Sequence, residues 1–185
     1  MLTRRQLLQT GFAGAVVLGL ARFAYGPITP DAVYAGGQPS RFKVLDAESC
    51  TAIAAIARVM LKGALPTNDT AAYAMALQAA VAGCDTVISG LPETVQDEVK
   101  DLLALLASRL SRRWIAGVSS AWEAASDDEV AYFLNRWRYS AFSLLRSGYQ
   151  ALHQIVFAAW YGNPQAWVGI GYEGPPEFVK GYWHA

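Results

Sequence analysis

Cysteine and histidine are scarce in this chain, with two of each in 185 residues. Four-ligand zinc sites and all-cysteine iron–sulfur clusters need more of these ligands, and no C-x-x-C-H stands ready for covalent haem. Charge of one sign is lacking too: 15 Lys and Arg are matched by 15 Asp and Glu. Nucleic acid needs a surplus of basic residues on one face, so that class of partner is not expected. Long apolar runs are also missing. The longest, Gly11 to Ala21, is about half of the roughly 20 residues that cross a bilayer, and Arg22 interrupts it. Alternation with period two, the mark of half-buried strands, appears nowhere at useful length. The composition points to one domain without a metal or redox centre of its own, and the length suffices to bury a core.

What is present begins with an address. Thr3-Arg4-Arg5-Gln6-Leu7-Leu8 places paired arginines directly before leucines, and the short glycine-rich apolar stretch follows. A positive region, an apolar region and a small-residue cleavage site form the order of a bacterial export signal. Arg4, Arg5, Leu7 and Leu8 are similar to the twin-arginine leader, whose translocon carries proteins already folded. Val33-Tyr34-Ala35 offers one cleavage site and Gly19-Leu20-Ala21 a second. Residues 1–35 are therefore expected to be a signal peptide and 36–185 a single helical domain. A cut after Ala35 leaves 12 basic and 14 acidic residues, a mildly acidic chain.

Beyond the leader the pattern is helical. Asp46 opens a helix running to about Lys62, with Cys50, Ile53, Ala57 and Met60 on its apolar stripe and Gly63 at its end. A second helix spans about Thr70 to Ser89 and carries Leu77, Val81, Cys84 and Ile88 on one face. Pro92 opens a third, with Glu93 near the positive end of its dipole. Its stripe is Val95, Val99, Leu102, Leu106 and Leu110, and Arg112 and Arg113 fall near its C-terminus. Ser126 with Glu129 has the spacing of a capping box. The apolar stripe that starts there (Val130, Phe133 or Leu134, Trp137, Ala141, Leu144, Leu152, Ile155 and Ala159) predicts one long helix to about Tyr161, with Gly148 as its break. The expected fold is all-α, a bundle of four to five helices.

The last 24 residues, Gly162 to Ala185, are too rich in Gly and Pro for a long helix, yet they hold Trp167, Tyr172, Phe178, Tyr182 and Trp183. Free tails are poor in aromatics. This irregular, aromatic-rich tail therefore packs on its own bundle or forms part of a docking surface for a partner.

Most chemical signals fail on context. Gly169-Ile170-Gly171-Tyr172-Glu173-Gly174 spells G-x-G-x-x-G, but Pro175-Pro176 follows where a helix should receive the pyrophosphate. There is no G-x-S-x-G elbow, and neither histidine belongs to a Glu-x-x-His pair. His153 reads as a hydrogen-bonded core or boundary residue. Asp127 and Asp128 serve a helix dipole, and Arg136 and Arg138 read as surface ion pairs. Cys50 and Cys84 fall on the inward stripes of adjacent helices. In an oxidising compartment a bridge between them would close a loop of about 35 residues and contribute a few kcal/mol. The other reading is two buried thiols behaving as small apolar side chains.

The leader, the helical body and the ending Ala159-Trp160-Tyr161-Gly162-Asn163-Pro164-Gln165-Ala166-Trp167, continued by Ile170-Gly171-Tyr172-Glu173-Gly174-Pro175-Pro176, resemble the gluconate 2-dehydrogenase subunit 3 family. That resemblance implies a small, non-catalytic subunit of a periplasmic, membrane-associated dehydrogenase for sugars, sugar acids or polyols. It further implies that FAD sits in a large subunit of the glucose-methanol-choline type and haem c in a third, multihaem cytochrome subunit. The small subunit would bind the large one in the cytoplasm, help it mature and escort it through the twin-arginine translocon. Arg4 and Arg5 would then address the translocon. Trp160, Tyr161, Asn163, Pro164, Trp167, Tyr172 and Pro175 would meet the partner or shape the tail that meets it. The rival expectation is a self-sufficient exported binding protein or enzyme with a pocket between helices, at His153.

Overall fold

The computed structural model describes residues 42–67 and 69–174, apart from the side chain of Val168. Arg4, Arg5, Leu7 and Leu8 of the expected leader, and Pro175 near the other end, lie outside the described residues.

Short polar side chains set where the helices begin. Asp46 accepts the Ser49 N–H at 2.7 Å and opens α1 (Ala47–Met60). Asp69 accepts from Ala71 at 2.9 Å and opens α2 (Thr70–Ser89). Each carboxylate satisfies a donor that the helix cannot, and its charge suits the N-terminal dipole. Between them the chain turns at Gly63, whose φ of +89° is a left-handed conformation that glycine adopts without strain. Pro92 precedes α3 (Glu93–Ala107), with no side-chain cap.

The third predicted helix needs correction at its end. Ser108, with ψ of 126°, leaves helical geometry, and the chain resumes as one turn, α4 (Arg109–Ser111), followed by a π-helical turn, Arg112–Ala116. That break removes Leu110 from the apolar stripe and leaves it exposed, while Leu103 joins Val99 and Leu106 in the core. Arg112 and Arg113 belong to the π turn, not to the end of α3.

Ser126 caps α5 (Asp127–Arg138) by accepting the Glu129 N–H at 3.2 Å. The reciprocal half of the capping box is not made. The Glu129 carboxylate instead accepts N–H bonds from Ser119 and Ser120, fastening the preceding loop. Burial pushes its pKa up, and these bonds outweigh that and hold it below the usual range.

The single long helix expected to end near Tyr161 is two. The chain breaks at Tyr139–Phe142, and α6 (Ser143–Tyr161) returns beside α5. Gly148 is therefore not the break. It sits inside α6 where the Trp137 ring lies against the backbone, and a Cβ there would stand 2.6 Å from that ring. The turn also strands two members of the expected stripe, Ala141 and Leu144, on the surface. A last short helix, α7 (Pro164–Gly169), follows.

The described residues thus form an all-α fold of five long and two short helices, with no strand among them. α1 lies innermost, touching α2, α3, α5 and α6. Ala52, Ile53, Ala55, Ile56 and Ala57 are all buried, and the alanines let four neighbours approach one helix. α2 packs most extensively on α6, with Gly83 meeting Ala159 so closely that a Cβ would lie 3.0 Å from the Ala159 side chain. An aromatic group closes the other side. Trp122 meets Phe133 edge-on at 5.8 Å, Phe133 meets Trp137 at 4.8 Å, and the Trp122 indole donates to the Leu106 carbonyl at 2.9 Å. Thr70–Ser89 is long and apolar enough to cross a membrane by composition, but its inner face is held against α1 and α6.

Asp85 is the one buried carboxylate among the described residues, 5% exposed. It accepts N–H bonds from Lys43, Val44 and Leu45 at 2.9, 2.8 and 2.9 Å, pinning the chain just before α1 to α2. Burial by itself would raise this carboxyl, and the three bonds with the Lys43 charge bring it below its ordinary value. The stability it provides is present above the unfolded pKa of about 4 and is lost as pH falls through the lower folded value. Asp85→Ala should remove about 3 kcal/mol at neutral pH, since three donors lose their partner. Urea titrations of variant and wild type should converge on acidification. A gap that stays constant down to the acid limit would show that the carboxylate charge is not what matters.

Candidate partner interface

α6 has two working faces. Leu152, Ile155, Val156, Ala159 and Trp160 turn inward and are buried. Tyr149, His153, Phe157 and Tyr161 recur every four residues on the other side and form a ladder of rings. Tyr149 and His153 lie 5.8 Å apart, His153 stacks on Phe157 at 4.2 Å, and Phe157 meets Tyr161 at 5.9 Å. His153 is thus a half-buried rung of this ladder.

At the C-terminal end of the ladder the chain forms a built corner. The Asn163 carboxamide accepts the Gln165 N–H at 3.0 Å, and Pro164 begins α7, where a missing N–H does no harm. The Trp167 indole reaches back to the Tyr161 carbonyl at 2.8 Å. The Tyr172 N–H returns to the Trp167 carbonyl at 3.0 Å, and its ring meets the indole edge-on at 5.3 Å. Gly171 and Gly174 both have positive φ, 68° and 99°. At Gly174 a Cβ would stand 3.0 Å from the Trp167 ring, so glycine permits the close approach as well as the turn. The G-x-G-x-x-G spelling therefore serves a turn after a helix.

Of the residues singled out in the sequence, Trp160 is core at 3% exposure, and its carbonyl accepts the Asn163 N–H at 3.0 Å. Asn163 and Trp167 shape it, while Tyr161, Pro164 and Tyr172 are exposed on it together with Ile170. The rungs Tyr149 and Phe157 were missed, although their four-residue spacing was readable.

Elsewhere the helices behave as structure. Asp127 faces Arg58 at 2.8 Å, and Arg58 also donates to the Ala125 carbonyl at 2.7 Å. Among the described residues Arg136 and Arg138 do not form the ion pairs expected of them. The first donates to the Ile115 carbonyl, and the second lies over the Tyr139 ring at 5.2 Å and the Tyr149 ring at 5.9 Å. A hollow of about 460 Å³ is lined by Val44, Asp46, Ser49, Asp97, Lys100, Asp101 and Ala104. It lies away from His153, and no group of His, Cys, Asp and Glu among the described residues is disposed to hold a metal ion.

Cys50 and Cys84 are free thiols in this structure. Burial pushes Cys50 up to about 11, with the Asp46 and Asp85 charges adding to it. Burial pushes Cys84 up to about 12, with Cys50 adding to it. No family model, no curated protein and no solved structure matches the chain.

The thiol environments predict a chemical signature. At pH 8 iodoacetamide should modify both cysteines at least about tenfold more slowly in the folded than in the urea-unfolded reduced protein. Thiolate formation opposes folding here, so stability falls as pH rises above about 9 toward the folded values. Mass spectrometry of chain taken from an oxidising compartment decides between the thiol and the bridge: a Cys50–Cys84 disulfide leaves neither residue labelled in urea until reductant is added.

Proposed function

We propose that this chain is a non-catalytic small subunit of an exported FAD-dependent dehydrogenase, of the kind represented by the gluconate 2-dehydrogenase subunit 3 family. In this reading it binds the flavoprotein large subunit before export, stabilises it and lends it a twin-arginine leader. FAD belongs to the large subunit and haem c to a third, cytochrome subunit. The substrate, a sugar, sugar acid or polyol, is chosen by the large subunit, and the assembled complex resides at the periplasmic face of the inner membrane.

The observation that carries this reading is the corner itself. The stretch Trp160 to Gly174, where the resemblance is most specific, is folded into a hydrogen-bonded platform. The platform leaves Tyr161, Ile170 and Tyr172 exposed. Aromatic side chains held in place before binding lose little freedom on docking, which favours tight association. Such a partner must be bound in the cytoplasm, because a twin-arginine pore carries folded cargo and FAD is inserted during folding.

Two experiments test it. With the chain and a glucose-methanol-choline flavoprotein from the same operon co-expressed, the two should co-purify. Tyr161→Ala with Tyr172→Ala should weaken the complex about 10- to 100-fold while the small subunit stays folded, as its circular dichroism reports. No co-purification of the wild-type pair would end the proposal. Separately, Arg4→Lys with Arg5→Lys should leave dehydrogenase activity in the cytoplasm. Activity that still reached the periplasm would remove the escort role.

A further inference from the structure

The end of the bundle opposite the aromatic corner has a chemistry of its own. Arg136 and Trp137, near the end of α5, both donate to the Ile115 carbonyl, the indole at 3.2 Å. These bonds bring the π turn beside the α5–α6 connection. Ten Lys and Arg residues lie among the described residues, and six of them are arginines of this region: Arg109, Arg112, Arg113, Arg136, Arg138 and Arg146. Among the described residues, none of Glu123, Asp127, Asp128 and Glu129 forms an ion pair with them. Asp127, Asp128 and Glu129 occupy the first turn of α5, roughly 13 Å along the axis from the arginines of its last turn.

Large apolar side chains stand among these arginines. Trp114 is 75% exposed, Tyr139 74% and Phe142 72%, with Leu110 beside them in sequence also exposed. They protrude from turns. Arg146 donates to the carbonyls of Ser140 and Ala141 at 2.6 and 2.9 Å, which holds the connection carrying Phe142 in shape. Protruding Trp, Tyr, Phe and Leu interleaved with arginine is the composition that enters the headgroup region of an anionic bilayer. A body whose other described charges are mostly acidic would also be turned by such a surface so that this end faces it.

We infer that this pole, Arg109–Ile115 with Arg138, Tyr139 and Phe142, docks the chain on an anionic phospholipid surface. The rings insert at headgroup depth, and the arginines meet the lipid phosphates. The aromatic corner lies at the far end of α6, roughly 28 Å away along a 19-residue helix, and stays free for a protein partner. The inference stands on the pole's own residues and does not rest on the flavoprotein reading.

Co-sedimentation of the full chain with vesicles tests it. The vesicles are phosphatidylglycerol and phosphatidylcholine in equal parts, or phosphatidylcholine alone. The wild-type chain should bind the anionic vesicles in preference and be released as salt rises. Arg109→Gln with Arg113→Gln, and separately Trp114→Ala, should each lower the partition constant about tenfold or more, with unchanged circular dichroism because the side chains are exposed. Bromolipid quenching of tryptophan emission should fall in Trp114→Phe. If the variants bind anionic vesicles as well as the wild type, another segment such as the leader holds the membrane and the inference is wrong. Absence of vesicle binding by the wild-type chain overturns it equally, and an acidic protein bound at the pole in place of lipid would identify the true occupant.

Discussion

The Asp85 carboxylate governs how the bundle is assembled. A charged group so deeply placed in α2 is tolerable only because three backbone donors converge on it, and those donors belong to the residues just before α1. The bond set therefore fixes the point at which the innermost helix enters. α1 then has to lie between α2, α3, α5 and α6, and its alanines are what allow that many neighbours. The thiols of Cys50 and Cys84 belong to the same neighbourhood. The Asp85 charge adds to the burial that pushes Cys50 up, so anchoring and thiol chemistry are linked through one residue.

α6 connects the interior to both proposed contact regions. Its inner face closes on α2 at Gly83 and Ala159, which holds the helix rigidly on the bundle. Its outer face is the ring ladder, with Arg138 over Tyr149 at one end and Tyr161 under Trp167 at the other. A subunit that meets a protein at one end and a lipid surface at the other would hold its partner at a set height above the membrane. The escort and the docking are separate proposals, but the geometry of a single helix makes them compatible.

Much of the local structure is legible in the sequence. The start of α1 at Asp46, the full extent of α2 and the cap at Ser126 follow from side chains that satisfy backbone groups within their own turn, so the information is local. The failures share a cause. Ser108 and the Tyr139–Phe142 connection interrupt stripes that look continuous in sequence, and a stripe does not record where the backbone leaves helical geometry. Gly148 was misread as a break because its partner, the Trp137 ring, is brought to it only when α5 and α6 pack. Glu129 was expected to complete its own cap, and it serves instead a loop ten residues earlier.

The contact regions divide along the same line. The sequence alone determined the all-α fold of the described residues, the scarcity of Cys and His, the paired arginines before an apolar stretch and the aromatic ending, because composition, capping and periodicity are properties of short windows. Only the tertiary structure decided that Trp160 is core while Tyr161 and Tyr172 are exposed, since that depends on which side of α6 the neighbouring helices occupy. It also decided that arginines and aromatics scattered from Arg109 to Arg146 share one end of the molecule. In a nearly neutral sequence a charged pole has no compositional signature, and here it arises because one carbonyl, that of Ile115, accepts from two residues of a distant helix.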